Sequence, residues 1–187
     1  MSDRSQRRPP AKITPGSLRL AGIRYLQRYT PTTSAFRRVM QRRIDKALRF
    51  HGGDPDEHAR TLDALVEELT SAGALDDDRW ARARAEELHR RGTPVRGIRF
   101  KLAAKGVPRD LVDVALDALV ETLEEVDPDR SAAWAYARRR RLGPYRRDPD
   151  ARAERREKDL AAMGRAGFPW GLARSVVDGS PPEEEVR

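Results

Sequence analysis

One six-residue segment occurs twice in this chain of 187 residues. Leu62–Glu67 reads LDALVE, and Leu116–Glu121 reads LDALVE again, 54 positions later. Around the first copy, apolar residues recur at helical spacing, at Leu62, Leu65, Val66 and Leu69. This spacing predicts an α-helix with one buried face. Because the helix is repeated, we expect a fold built from repeated helical units.

Other segments repeat at similar offsets. Trp80–Arg84 (WARAR) matches Trp134–Arg138 (WAYAR) at the same offset of 54, and Gly106–Pro108 matches Gly167–Pro169 at 61. Loops of different length between like helices would change the offset in this way. We therefore predict a three-helix unit repeated three times, with Trp80 and Trp134 at equivalent core positions. The units would cover residues 17–75, 76–127 and 128–179.

The predicted architecture is all-α, because the alternation of apolar and polar residues that marks strands is nearly absent. Proline at helix starts and glycine at helix ends set the boundaries. Stacked three-helix units would form an elongated, curved helical body. Residues 1–16 and 180–187 are expected to be a basic and an acidic disordered tail. The nine helices are predicted near residues 17–29, 34–50, 57–72, 77–91, 94–105, 109–125, 128–142, 149–166 and 169–178.

Composition excludes several classes of protein. The chain has no cysteine, so disulfides, thiolate metal sites and cysteine nucleophiles are excluded. A membrane-spanning helix needs roughly 18 apolar residues, and no uncharged stretch here is longer than eight. The first ten residues, MSDRSQRRPP, lack the apolar segment of a secretory signal. We expect a cytoplasmic protein, a monomer without membrane contact.

The chain is strongly basic, with 38 lysines and arginines against 30 acidic residues and a pI near 10.4. Only five of the basic residues are lysine. Arginine binds phosphates and carboxylates through a planar fork, so the composition favours a polyanionic partner. A GC-rich genome, which favours arginine, alanine, glycine and proline codons, is the alternative explanation. The two explanations are compatible.

Charge is sorted along the chain. Residues 79–109 hold 10 basic and 2 acidic residues, whereas residues 110–129 hold 8 acidic and no basic residues. Residues 51–78 are also acidic, with 9 acidic and 1 basic. A body with one cationic and one anionic side would suit a protein partner that already carries nucleic acid. Ion pairing between neighbouring helices is the alternative.

The candidate residues for binding a partner or DNA lie in two basic segments. Tyr145, in the predicted loop 142–147, is the aromatic candidate, because an aromatic ring among arginines can stack on bases and grip phosphates. The alternative is a tyrosine that packs its own loop down. Residues 138–141 cannot all face one partner from a helix, since successive side chains are 100° apart. The candidates are Arg82, Arg84, Arg90, Arg91, Arg96, Arg99, Arg138, Arg141, Tyr145, Arg146 and Arg147.

Catalytic and metal-binding patterns are not found in the sequence. His51, His58 and His89 are the three histidines, and no cluster of ligands surrounds them. The run Asp76–Asp78 resembles a metal-binding segment, but it directly precedes a predicted helix, where carboxylates cap free N–H groups. We favour the cap. We predict no enzyme activity, no metal and no cofactor.

The order and spacing of these segments resemble a known family. Gly73–Ala81 (GALDDDRWA), then Arg90-Arg91-Gly92, then Ile98, Leu102 and Lys105-Gly106 are similar to the central repeat of the RecX regulatory proteins. The third repeat and the opening Tyr25–Arg28 (YLQR) also look like RecX, as in a proteobacterial-like member. The resemblance covers residues 17–179. Ala74 and Trp80 replace the usual leucine and phenylalanine, and residues 43–56 depart from the usual short turn.

The resemblance implies a function that composition alone does not. RecX proteins are tandem three-helix-repeat proteins that bind the RecA recombinase and lie in the groove of its filament on DNA. They block filament growth or promote disassembly, and so modulate recombination, DNA repair and the SOS response. The expected partners are the RecA filament and single-stranded DNA. The alternative is a helical protein that binds single- or double-stranded DNA directly.

Overall fold

The computed structural model describes residues 9–123 and 127–182, and these form an all-α fold. The predicted fold class is therefore confirmed. The chain divides into two compact units, and the division falls inside helix α4, after Trp80. In these residues there are nine α-helices, one 3₁₀ turn at Gly143–Tyr145, and no strand. The helices are α1 Pro15–Leu26, α2 Thr33–His51, α3 Pro55–Ser71, α4 Asp77–Arg90, α5 Val95–Ala103, α6 Arg109–Thr122, α7 Pro128–Arg140, α8 Ala151–Ala166 and α9 Trp170–Asp178.

Helix α1 begins two residues earlier than predicted, because Thr14 and Ser17 cap it reciprocally. The Ser17 N–H donates to Thr14 Oγ1 at 3.2 Å, and the Thr14 N–H donates to Ser17 Oγ at 2.9 Å. Such a capping box satisfies two N–H groups that have no partner within the helix. Of the tail expected over residues 1–16, residues 1–8 lie outside the described residues. Of the tail expected over 180–187, residues 183–187 do so.

Residues 43–56, where the resemblance predicted a departure from a short turn, mostly belong to helix α2. Helix α2 starts after the cap Thr32 and runs to His51. It ends at Gly52, whose φ of 71° lies in the left-handed region that favours glycine. Residues 52–54 form the short connection to α3, which starts after the cap Asp54. The two long helices α2, of 19 residues, and α3, of 17 residues, therefore pack against each other.

The first unit has one apolar core between α1, α2 and α3. Leu18, Phe36 and Ile44 are completely buried there. The predicted face of α3 packs against them, with Leu62 4 % exposed. The first copy of the LDALVE segment is therefore a core helix, as its spacing predicts.

The second copy is equally buried in the second unit. Leu116 and Leu119 of α6 are 3 % and 4 % exposed, and Ile98 and Leu102 of the preceding α5 are completely buried. A separate apolar cluster joins α7, α8 and α9 around Trp134, with partners that include Leu160, Met163 and Val176. Each group of three helices therefore contributes buried apolar residues, as a repeat requires.

One polar contact recurs between successive groups. Asp77, at the start of α4, accepts the N–H of Thr33, the first residue of α2, at 2.7 Å. Asp129, at the start of α7, accepts the N–H of Val95, the first residue of α5, also at 2.7 Å. The first N–H groups of a helix have no partner within it, and a carboxylate is favourable there. An aspartate of the following group thus caps the second helix of the group before it.

This contact aligns α4 with α7 at an offset of 52, not at the predicted 54. Trp80 and Trp134 are therefore not equivalent. Trp80 is half-buried and donates its indole N–H to the carbonyl oxygen of Thr30 at 2.9 Å. Trp134 is 7 % exposed, inside the cluster of α7, α8 and α9. The sequence match at 54 aligned Ala81, which is completely buried, with Ala135, which is only partly buried.

Candidate functional site

The basic segment of α4 and α5 carries six of the predicted binding residues, and Arg84, Arg91 and Arg99 of these form ion pairs. Arg84 and Arg91 both bind the carboxylate of Glu87, with Arg91 Nη1 2.8 Å from Glu87 Oε1. The hydrogen bond from Arg84 is the main reason that the pKa of Glu87 lies below its usual value, and the charges of both arginines act in the same direction. The charge of these two arginines is therefore partly neutralised by a carboxylate of the same helix surface.

Arg99 is also paired, with the α6 carboxylate of Asp113, which lies 3.9 Å from Arg109 as well. The hydrogen bond from Arg99 is the main cause of the lowered pKa of Asp113. The contact joins the cationic helix α5 to the acidic helix α6. Corresponding pairs join α2 to α3 through Arg37 and Asp63.

The third group has the same arrangement. Arg156 of α8 binds both carboxylate oxygens of Asp178 on α9, at 2.7 Å each. The hydrogen bond from Arg156 is the main cause of the lowered pKa of Asp178. Ion pairing between the second and third helix of a group thus explains part of the charge sorting seen in the sequence.

Three predicted residues of the central segment remain. Arg90 and Arg96 are exposed, and neither forms an ion pair with a carboxylate of the described residues. Arg82 is half-buried. Among the six predicted residues, Arg90 and Arg96 are therefore the two that are both exposed and outside the ion pairs of the described residues.

The predicted loop after α7 is a folded turn. Tyr145 ends the 3₁₀ turn Gly143–Tyr145 and is half-buried, with its ring edge-on to Trp134 at 6.2 Å between centroids. This geometry agrees with the alternative in which the tyrosine packs its own segment down. The segment is thus attached to the core of the third group.

Arg146 supports the same turn. Its Nε lies 2.8 Å from Oδ2 of Asp159, a carboxylate that is 1 % exposed, and the Gly143 N–H donates to the same oxygen at 2.8 Å. The hydrogen bond to Asp159 is the main cause of the raised pKa of Arg146. A buried carboxylate needs such partners, because an unpaired charge in the interior is costly. The Arg146 side chain therefore stabilises the turn.

The other predicted residues of this segment lie on the surface. Arg138, Arg141 and Arg147 are exposed. Arg141 ends α7 with a φ of 55°, a left-handed conformation that is uncommon for a residue with a side chain. These three arginines are therefore accessible to a partner, whereas Tyr145 and Arg146 are partly buried in the turn.

The aspartate run 76–78 acts as a helix cap. Asp76 Oδ1 accepts the N–H of Arg79 at 2.9 Å, one turn into α4, and Asp77 caps α2 as described above. The capping prediction for Asp76 is confirmed. Within residues 9–123 and 127–182, no group of three or more histidine, aspartate or glutamate side chains is placed to hold a metal ion.

The structure also brings together basic residues that are not among the predicted binding residues. Lys101, Arg139, Arg140 and Arg165 line one groove in the second unit. They come from three different helices, so no local motif connects them. The one feature that they share in the sequence is a position in the last turn of a helix.

Comparison with known proteins places the chain in a family. It is 42 % identical over 173 residues to the protein "Regulatory protein RecX" of Myxococcus xanthus, an alignment that covers 92 % of this chain and 90 % of that protein. The chain belongs to the RecX family. A RecX protein of Agrobacterium fabrum is 37 % identical over 60 % of this chain and 56 % of its own length. One of Leptothrix cholodnii is 32 % identical over 72 % of this chain and 75 % of its own length.

A family model supports the same placement. The model described as "RecX, second three-helix domain" matches residues 76–116. This range contains α4, α5 and the first part of α6, and with them all six arginines predicted in the central segment. No solved structure matches the chain significantly. Across the described part of this RecX chain, no helix combines the length and apolar character needed to cross a membrane.

Proposed function

We propose that this RecX protein is a non-catalytic regulator in the cytoplasm, which binds the RecA filament on DNA as a monomer and inhibits or disassembles it. In this way it would modulate recombination, DNA repair and the SOS response. Family membership carries the proposal, because the RecX resemblance implies RecA as the partner. The cationic surface of α4 and α5 supports it, because a RecA–DNA filament would offer both carboxylates and phosphates.

Within this surface, Arg90 and Arg96 are the proposed contact residues. Both are exposed and unpaired among the described residues, so a partner can bind them without breaking an internal ion pair. Arg84, Arg91 and Arg99 already bind Glu87 or Asp113. Charge reversal at these three would break ion pairs within the protein as well as change the surface charge. They are therefore poor positions for testing the function.

A filament-disassembly assay with RecA and single-stranded DNA tests the proposal. We expect Arg90→Glu with Arg96→Glu to abolish inhibition without changing the helical content. The matched control is Asp117→Lys with Glu121→Lys, two exposed acidic residues of α6 that also form no ion pair with the described residues. If the control abolished inhibition and the arginine variant did not, α6 rather than α4 and α5 would face the filament.

A further inference from the structure

The groove lined by Lys101, Arg139, Arg140 and Arg165 has a volume of about 380 Å³. It lies between the turn after α4, the carboxyl end of α5, and helices α7 and α8. None of its four basic residues is among the predicted binding residues. The groove is therefore a separate feature of the second unit.

The charge of this groove is entirely positive. No acidic side chain lines it, whereas Glu57 and Glu68 line the groove between α1 and α3, and Asp178 lines the one between α8 and α9. None of its four cations forms an ion pair with a carboxylate of residues 9–123 and 127–182. Four cations held close together repel one another, and a bound anion would relieve this repulsion.

Interaction with the helix dipole explains why each cation lies at the end of its helix. It does not explain why four cations line the same groove. Each cation lies in the last turn of a helix, where it interacts favourably with the negative end of the helix dipole. Three helix ends supply roughly half a negative charge each, about 1.5 in all, against four full positive charges. The groove thus keeps a positive excess after the helix dipoles are counted.

Two of the cations contact neighbouring side chains. The Arg139 guanidinium carbon lies 5.9 Å from the centroid of the Tyr136 ring, and Lys101 Nζ lies 3.4 Å from Thr93 Oγ1. The Tyr136 ring also packs against Phe168, at 5.6 Å between centroids. The ring is thus engaged within the protein, and the groove offers its ligand positive charge rather than a ring for stacking.

We infer that this groove binds the phosphodiester backbone of a nucleic-acid strand. Arginine suits this ligand because its planar fork can donate two hydrogen bonds to one phosphate. The site adds direct contact with nucleic acid to the proposed function. It does not require RecA, so it can be tested without the filament. Single- and double-stranded DNA share the phosphodiester chemistry, and the experiment distinguishes them.

Binding of the purified full chain to a short labelled oligo(dT), measured by fluorescence anisotropy at several salt concentrations, tests the inference. If each of the four cations neutralises one phosphate, log K falls with log salt at a slope of about −2.8, since each single-strand phosphate contributes about 0.7. Affinity would then fall about fiftyfold between roughly 50 and 200 mM salt. A duplex of the same length shows which form the groove prefers.

The decisive variant is Arg140→Gln with Arg165→Gln. Removing two of four phosphate contacts should reduce the slope to about −1.4 and the salt-dependent loss to about sevenfold. Arg140→Lys with Arg165→Lys, which keeps the charge, should keep the steep slope. The matched control is Arg130→Gln with Arg155→Gln, two exposed arginines of the same helices α7 and α8 that lie outside the groove. It should bind with nearly the wild-type slope.

Three results would overturn the inference. The first is a wild-type chain that does not bind the oligonucleotide. The second is equal loss of binding in the groove variant and in the control. The third concerns competition with an acidic peptide at low concentration. If the peptide displaced the oligonucleotide from the wild-type protein but not from the groove variant, the groove would bind a protein segment instead. RecA is absent from this experiment, so none of these results decides whether the protein inhibits the RecA filament. The filament-disassembly assay tests that separately.

Discussion

Gly92 is a position where a single added methyl group should strongly destabilise the fold. It lies in the turn between α4 and α5 with a φ of 77°, and a Cβ added there would lie 2.4 Å from the backbone nitrogen of Tyr136 on α7. A residue with a side chain costs about 1–2 kcal/mol in the left-handed conformation. Forcing extra volume against a packed neighbour costs about 1–3 kcal/mol more. Gly92→Ala should therefore lower the free energy of unfolding by about 2–5 kcal/mol.

Gly73 provides the matched control. It lies in the turn between α3 and α4 with a φ of 68°, but a Cβ there would have no atom within 4 Å. Gly73→Ala should thus show only the conformational cost of about 1–2 kcal/mol. Urea unfolding followed by circular dichroism gives both values. Equal destabilisation by the two variants would refute the close approach of α7 to the turn before α5.

Three further predictions concern the core, a cap and a surface ion pair. Leu62→Ala and Leu116→Ala should each cost about 2–5 kcal/mol of unfolding free energy, because both side chains are buried; unchanged melting of both variants would contradict the assignment of the LDALVE segments to the core. Asp76→Ala should cost about 1 kcal/mol through loss of a cap, and a wild-type melting temperature that rises with Mg²⁺ would favour a metal site instead. Arg99→Gln should destabilise the fold at neutral pH, because the folded-state pKa of Asp113 is depressed below 3.8 by Arg99. This difference from wild type should shrink as the pH falls below 3.8 and Asp113 becomes protonated, and a difference that persists in acid would exclude the ion pair as its cause.

Local patterns predicted the helices well. Proline, glycine and capping residues set boundaries through interactions within a few residues, and the apolar spacing around Leu62 and Leu116 reflects burial of one helix face. The cap formed by Asp76 is equally local. These features depend on the chain within one or two turns, so one sequence is enough to predict them.

Contacts between distant segments were harder to predict. The pairing of Arg99 with Asp113 depends on how α5 packs on α6, and composition shows only that opposite charges are present. The offset of 52 between α4 and α7 became visible only through Asp77 and Asp129, each of which caps a helix more than 30 positions earlier in the chain. The basic groove required the carboxyl ends of α5, α7 and α8 to come together.

We propose that this RecX protein acts on RecA bound to DNA, and one comparison of affinities tests this most directly. The affinity of the full chain for RecA-coated single-stranded DNA should be measured beside its affinity for the same DNA without RecA, at one salt concentration. We predict binding at least about tenfold tighter to the coated DNA, a difference of about 1.4 kcal/mol or more. Equal affinity for coated and bare DNA would contradict the account and favour a protein that acts on DNA directly.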